Sequence, residues 1–188
     1  MKTIIENEFN EHIKVANSID CLTDDVAISA QLCIECLKNG GKILLFGNGG
    51  SAADAQHIAA ELVGRYKVER KSLRAIALTT DTSAITSIGN DFGYSHIFDR
   101  QVEALANKGD VAIGISTSGN SINVINALKV ASKLKCKTVG LTGQDVGTLT
   151  KICDVNLAVP SKNTARIQEM HIVIGHTICH LIDQEFKN

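Results

Sequence analysis

The sequence predicts an α/β protein: a three-layer, doubly wound sandwich around a five-stranded parallel sheet, with extra helices ahead of it. Three observations predict it. Short apolar runs recur at 42–46, 73–78, 110–115, 138–142 and 154–159, each of a length that suits a buried strand. Helical segments separate them, and repeated strand–helix alternation argues a parallel sheet covered on both faces. Small-residue turns follow the first and third runs, at 47–51 and 116–121. Both turns fall at the carboxyl ends of strands, where open sheets of this kind bind ligands.

Each element has its own signal. Residues 3–18 read as an amphipathic helix, with Ile4, Ile5, Phe9, Ile13 and Val15 among charges. Asp24 stands where it would cap a second helix through Leu37, ended by Gly40-Gly41. Two helices before the first strand exceed what a minimal doubly wound domain needs. Their apolar faces pack either on the sheet or on another subunit, and the sequence does not choose. The chain, 1–188, is taken as one domain with a helical extension over about 1–40. The first strand leads through the glycine turn into an Ala-rich helix from about Ser51 to Arg65. After the second strand, Thr79–Ser83 opens a helix across Ala84–Ile88. Gly89-Asn90-Asp91-Phe92-Gly93 reads as a loop, and Ser95–Ala106 as another helix. The third strand, the turn 116–121 and a helix over Val124–Leu134 follow. A short helix within Gly143–Lys151 separates strands four and five, and one long helix from about Thr164 to Phe186 ends the chain.

A chain of 188 residues suits one domain with a full-sized core, and 44% apolar residues suit a globular protein. A net charge of −1 gives no bulk case for nucleic acid or a membrane surface. The start, Met1-Lys2-Thr3-Ile4-Ile5-Glu6-Asn7-Glu8, turns acidic before a signal-peptide core forms, so a cytoplasmic protein is expected. Cys33-Ile34-Glu35-Cys36 is formally a C-x-x-C, but it lies within a helical pattern and no second pair completes a zinc site. Cys21, Cys33, Cys36, Cys136, Cys153 and Cys179 are therefore read as free thiols, mostly buried.

Chemistry concentrates in three places. Gly47-Asn48-Gly49-Gly50-Ser51 lies between a strand and a helix start, which makes an anion site: glycine lets backbone approach a ligand and the helix start presents N–H groups. The same turn is an imperfect dinucleotide fingerprint, with Asp81 at the end of the second strand where a ribose-binding acid would sit. Ser116-Thr117-Ser118-Gly119-Asn120-Ser121 offers four hydroxyls at another helix start. A cap needs one hydroxyl, so the other three favour a phosphate cradle. The third place is on helices. His57 and Glu61, at i and i+4, share a face of a helix that is apolar nearly all round. Such a helix is expected to be buried, and buried charge needs a partner or a metal. The last helix repeats the pattern with Gln168, Glu169, His171, His176 and His180 in an apolar background. Spacing alone does not choose between a His176–His180 pair and a Gln168–His176 face, and one or two of these histidines are expected to be hydrogen-bonded core residues. His12 and His96 have no supporting context.

Gly47-Asn48-Gly49-Gly50-Ser51-Ala52-Ala53-Asp54-Ala55-Gln56-His57, then Glu61-Leu62-Val63-Gly64-Arg65-Tyr66, resembles the bacterial phosphoheptose isomerases. So do Asn90-Asp91, the 116–121 turn, and Arg166-Ile167-Gln168-Glu169 with His176. The likeness runs over nearly the whole chain, includes the two leading helices, and is more specific than the sugar-isomerase (SIS) fold alone. It implies conversion of D-sedoheptulose 7-phosphate to D-glycero-D-manno-heptose 7-phosphate, the first step towards nucleotide-activated heptose for lipopolysaccharide, capsule or another surface glycan. It implies a homotetramer with sites at subunit contacts, and one zinc per subunit held by His57, Glu61, Gln168 and His176. Substrate contacts carry over to Asn48, Gly49, Gly50, Ser51, Glu61, Asn90, Asp91, Ser116, Thr117, Ser118, Ser121 and Gln168.

Ketose–aldose exchange moves a proton between adjacent carbons while a second group serves the oxygens, and a carboxylate with an imidazole divides these tasks. Glu61 is assigned the carbon proton through an ene-diol, and His176 the oxygens. Whether a metal polarises the substrate oxygens or the two side chains act with loosened coordination stays open at this point. Two competing classes are a non-catalytic SIS module that binds a sugar phosphate or a protein partner, and a nucleotide-cofactor oxidoreductase. A pure binding module needs no acid–imidazole set, and failure to bind NAD excludes the oxidoreductase.

Overall fold

A computed structural model describes residues 1–145 and 147–187. The elements run α1 (Lys2–Ala16), α2 (Thr23–Lys38), β1 (Ile43–Gly47), α3 (Gly50–Val63), β2 (Ala75–Ala77), α4 (Thr82–Phe92), α5 (Asp99–Leu105), β3 (Val111–Ile115), α6 (Ile122–Lys133), β4 (Lys137–Thr142), β5 (Val155–Ala158) and α7 (Thr164–Phe186). The five strands form one parallel sheet in the order β2-β1-β3-β4-β5. β1 is buried at all five positions, as a central strand of a doubly covered sheet must be. Strand order reverses between β1 and β3, so a crevice opens beyond their carboxyl ends.

Alternate strand residues go to opposite faces. Ile43, Leu45, Val111, Ile113 and Ile115 point into a core closed by α2, α3 and α7. Leu44, Phe46 and Ala112 point into a second core closed by α5 and α6. Three layers result. The leading helices divide the two fates that the sequence left open. α2 packs on the sheet face and α7 through Val26, Ala30, Cys33 and Leu37. α1 lies on α7 and leaves Ile4, Ile5, Phe9 and Ile13 more than half exposed. A polar cluster fastens it: the buried Arg166 donates to the Glu8 backbone and carboxylate and to Glu169, and Glu169 also bonds His12 Nδ1 at 2.8 Å.

Several boundaries differ from expectation. Gly89–Phe92 is the last turn of α4 rather than a loop, so Asn90 and Asp91 sit on a helix end. The 94–106 stretch breaks into a short 3-10 turn at Tyr94–His96 and the helix α5. Asp24 lies inside the first turn of α2 and does not cap it. The short helix expected within 143–151 is a 3-10 turn at Thr148–Lys151, and Val146 lies outside the described residues. The cysteines are free. Burial pushes the Cys36 thiol up to about 11 and the Cys33 thiol higher still, away from redox chemistry.

Candidate active site

Both small-residue turns stand at the reversal point of the sheet. In the first, Gly49 adopts φ +57°, a conformation that favours glycine, and α3 starts at the next residue. The Ser51 and Ala52 amides bond back to the carbonyls of Asn48 and Gly49. In the second, Ser116 and Ser121 join their hydroxyls at 2.8 Å, and Ser118 Oγ accepts the Asn120 amide at 3.2 Å. None of these hydroxyls caps α6. Gly119 is forced by space as well as by φ +66°, since a Cβ there would lie 2.9 Å from the Gly147 nitrogen. A cavity of about 250 Å³ opens beside this turn, lined by Thr117, Ser118, Asn120, Ser161, Lys162 and Thr164.

The two turns are tied together. Asn48 Nδ2 donates to Asn123 Oδ1 and Asn123 Nδ2 donates back to Asn48 Oδ1, both at 2.9 Å. The Tyr94 hydroxyl donates to the same Asn48 oxygen at 2.9 Å, which brings the segment after α4 to the site.

The third group lies where α3 crosses α7. His57 Nε2 is 3.1 Å from Glu61 Oε1 and 3.3 Å from His176 Nε2. One ligand atom from each of these three side chains falls within 4.8 Å of the others. The helices pack closely here: a Cβ on Gly175 would meet Ile58 Cδ1 at 2.5 Å and Cγ1 at 2.7 Å, so a larger residue would have to displace that side chain. Tyr66 stacks on the His176 ring, with centroids 5.1 Å apart and planes at 18°. Gln168, two turns before His176 on α7, lies over Gly50, where a Cβ would meet its amide nitrogen at 2.6 Å.

The cluster is not buried as the helix pattern suggested. His57 is 49% exposed and Glu61 22%. α3 buries Ala55, Ile58, Ala59 and Leu62 but leaves Ala53, Ala60 and Val63 open, because alanine is small enough to sit on a surface at little cost. The cluster is therefore open to solvent in part, with His57 exposed and Glu61 and His176 half-buried.

Comparison with known proteins decides the family. A family model for the SIS domain matches residues 9–143. A phosphoheptose isomerase of Aliarcobacter butzleri is 62% identical over the full length of both chains. The solved phosphoheptose isomerase of Neisseria gonorrhoeae superposes with a TM-score of 0.93 at 48% identity, covering 97% of this chain and 98% of that one. That of Francisella tularensis superposes at 0.94 with 41% identity, covering 97% of each. The chain belongs to the phosphoheptose isomerases.

In this phosphoheptose isomerase the residues named from sequence fall into distinct sets. His57, Glu61 and His176 come together, and Gln168 reaches the first turn at Gly50. Asn48 and the 116–121 turn share one mouth of the sheet. Asn90 and Asp91 bond each other at 2.8 Å on the exposed end of α4, and among the described residues neither bonds the two turns. Asp81, the acid of the dinucleotide fingerprint, accepts the Ala84 amide and caps α4. The histidine ambiguity on α7 resolves. His171 is the core histidine, fully buried and bonded through Nε2 to the Thr142 carbonyl, and burial lowers its pKa to about 4. His180 stands edge-on to Tyr66 and does not join the cluster. Asp54, one turn before His57, has its pKa raised to about 6 by burial, against the opposing pull of His57.

Asn123, Tyr94 and Gly175 were missed. Asn123 carried a usable signal: a lone amide in the apolar run Ile122-Asn123-Val124-Ile125 at a helix start. Tyr94 and Gly175 carried none that a single sequence exposes.

Proposed function

We propose that this chain interconverts D-sedoheptulose 7-phosphate and D-glycero-D-manno-heptose 7-phosphate. The observation that carries the reading is the convergence of Glu61, His57 and His176, partly open to solvent, on the helix that starts at the first small-residue turn and the helix it crosses, in a chain of this family. The hydroxyls of Ser116, Thr117, Ser118 and Ser121, with Asn48, Gly49, Gly50 and Ser51, would bind the sugar phosphate. Asn90 and Asp91 would contact it from the end of α4. Glu61 would take a proton from C1 of the ketose and return it to C2 of the ene-diol. His176 would carry the O1 hydroxyl proton to O2, so that the aldehyde forms at C1 and the hydroxyl at C2.

Two imidazole nitrogens and a carboxylate that converge within 4.8 Å fit a zinc ion in donor chemistry. Gln168 is the residue proposed to complete the set from the Gly50 side. When bound, the metal would either polarise a substrate oxygen, or leave Glu61 and His176 loosely enough held to serve as acid and base. The exposed apolar stripe of α1 and the absence of any buried residue on α4 support a homo-oligomer, for which a tetramer is proposed. Among the described residues no helix is long and apolar enough to cross a membrane.

The test is incubation with sedoheptulose 7-phosphate in D2O, with and without zinc, followed by NMR. Aldose product with deuterium at the exchanging carbon is expected, and Glu61→Gln abolishes both signals. Binding of the sugar phosphate without turnover under either condition would instead assign a regulatory SIS module.

A further inference from the structure

A metal-binding histidine almost always anchors its second ring nitrogen in a hydrogen bond, which fixes ring orientation. His176 departs from this. Among the described residues its one hydrogen bond runs through Nε2, the atom that faces His57, and Nδ1 has no protein partner. A stacked aromatic neighbour is the protein contact that restrains the ring. The face of the ring lies against Tyr66, nearly parallel at 5.1 Å. Stacking occupies the ring face and leaves the in-plane lone pair of Nε2 free, so it restrains direction without competing for the ligand atom.

Tyr66 is itself fixed. The two amides that follow it, of Lys67 and Val68, donate to Asp183 Oδ2 at 2.7 and 3.1 Å. Asp183 lies two turns beyond His176 on the same helix and is fully buried. Its other oxygen accepts Arg70 Nε at 2.7 Å, in an ion pair with no exposed side-chain surface. Arg70 also donates to the end of α3, at the Glu61 carbonyl (2.8 Å), the Leu62 carbonyl (2.9 Å) and the Gly64 carbonyl (3.3 Å), and to the Lys71 carbonyl of its own loop (3.1 Å). One buried pair thus joins the backbone of Glu61, the helix that bears His176, and the loop that bears Tyr66. A buried ion pair is weak evidence for stability, and in some proteins such a pair specifies geometry.

We infer that Tyr66 is a positioning residue for His176, held in register by the Arg70–Asp183 pair. The inference rests on the reading of His57, Glu61 and His176 as the working cluster. It predicts that the aromatic ring matters and the hydroxyl does not.

The experiment compares wild type, Tyr66→Ala, Tyr66→Phe and His176→Ala. Zinc affinity is measured by competition with a chromogenic chelator, and the Hα–Hβ couplings of His176 by NMR in zinc-free protein. Tyr66 is only partly buried, so both variants are expected to fold, which circular dichroism checks. Tyr66→Ala should bind zinc about 10-fold more weakly, the lower end of what loss of an orienting partner costs. Its His176 couplings should move towards rotamer averages. Tyr66→Phe should return both to within about twofold of wild type. Wild-type affinity and unaveraged couplings in Tyr66→Ala would overturn the inference. Zinc binding that His176→Ala leaves unchanged would instead overturn the metal reading. The couplings alone would then decide for Tyr66: averaging in the alanine variant supports it and fixed couplings refute it.

Discussion

The side-chain amides of Asn48 and Asn123 face each other and exchange two hydrogen bonds of 2.9 Å, across the point where the strand order reverses. Asn48 follows β1 and Asn123 opens α6, so this pair sets the spacing between the two turns proposed to grip the sugar phosphate. Asn123 is buried, and its Oδ1 also accepts the Val124 amide. Asn123→Ala removes both bonds to Asn48 at once. Stability should fall by about 1–2 kcal/mol, the usual cost of leaving a partly buried polar group unpaired. KM for the sugar phosphate should rise roughly 10-fold, as a misplaced binding group costs. Tyr94→Phe deletes one of the bonds to Asn48 and leaves the amide pair intact, so its effect on KM should be smaller. Steady-state kinetics on both variants checks the order.

Gly50 and Gln168 make a cleaner separation of function from stability. The backbone at Gly50 does not demand glycine through φ, but any Cβ would meet the Gln168 amide at 2.6–3.0 Å. The displaced group is the far end of a flexible side chain, so Gly50→Ala should change stability by less than about 1 kcal/mol. Gln168 would be turned away from the turn it overlies. Turnover should drop roughly 10- to 100-fold, the scale of an ångström-sized misplacement. A loss of activity matched by an equal loss of thermal stability would remove Gln168 from the site.

These two cases mark how far the sequence could be read. The strand–turn–helix of 42–61 and the strand–helix alternation were legible, because local periodicity and glycine punctuation carry them. So were His57, Glu61 and the serine turn, since each is a short-range pattern. The Asn48–Asn123 pair spans 75 residues and the His57–His176 contact 119, and no local pattern encodes such choices of partner. The end of α4 looks like a loop in sequence because of Gly89 and Asn90, whereas the helix continues to Phe92 before Gly93 ends it at φ +89°. The exposure of His57 is not legible in sequence, because an alanine-rich helix looks buried in composition whether or not anything covers it.

His171 gives the pH prediction. Burial holds its folded-state pKa at about 4, below the ordinary 6.5, although its bond to the Thr142 carbonyl pulls the other way. The fold thus favours the neutral ring. Above pH 6.5 neither state binds the proton, and the contribution to stability is complete. As pH falls from 6.5 to 4 the unfolded chain takes up a proton that the folded one refuses, and stability declines by up to about 3 kcal/mol. Below pH 4 this decline levels off. Urea unfolding at steps between pH 7.5 and 4 should show it, and His171→Gln should flatten that part of the curve.

Gly175 offers the sharpest test of how the cluster is assembled. It sits beside His176 and packs on the side chain of Ile58, the neighbour of His57, so the close packing of α3 on α7 and the 3.3 Å approach of the two imidazoles fall at adjacent positions. Gly175→Ala should gain about 1 kcal/mol from helix propensity and lose about 1–3 kcal/mol to overpacking, for a small net loss of stability. The effect on zinc affinity should be larger in proportion, because spreading α3 from α7 separates ligand atoms that must converge. Ile58→Val deletes Cδ1, the carbon nearest the new methyl group. Combined with Gly175→Ala it should recover part of the zinc affinity, while Ile58→Val alone recovers nothing because nothing is lost. A double-mutant cycle read by zinc competition measures that coupling. Strict additivity would mean that helix approach does not set the cluster, and that His57 and His176 find each other by side-chain freedom alone.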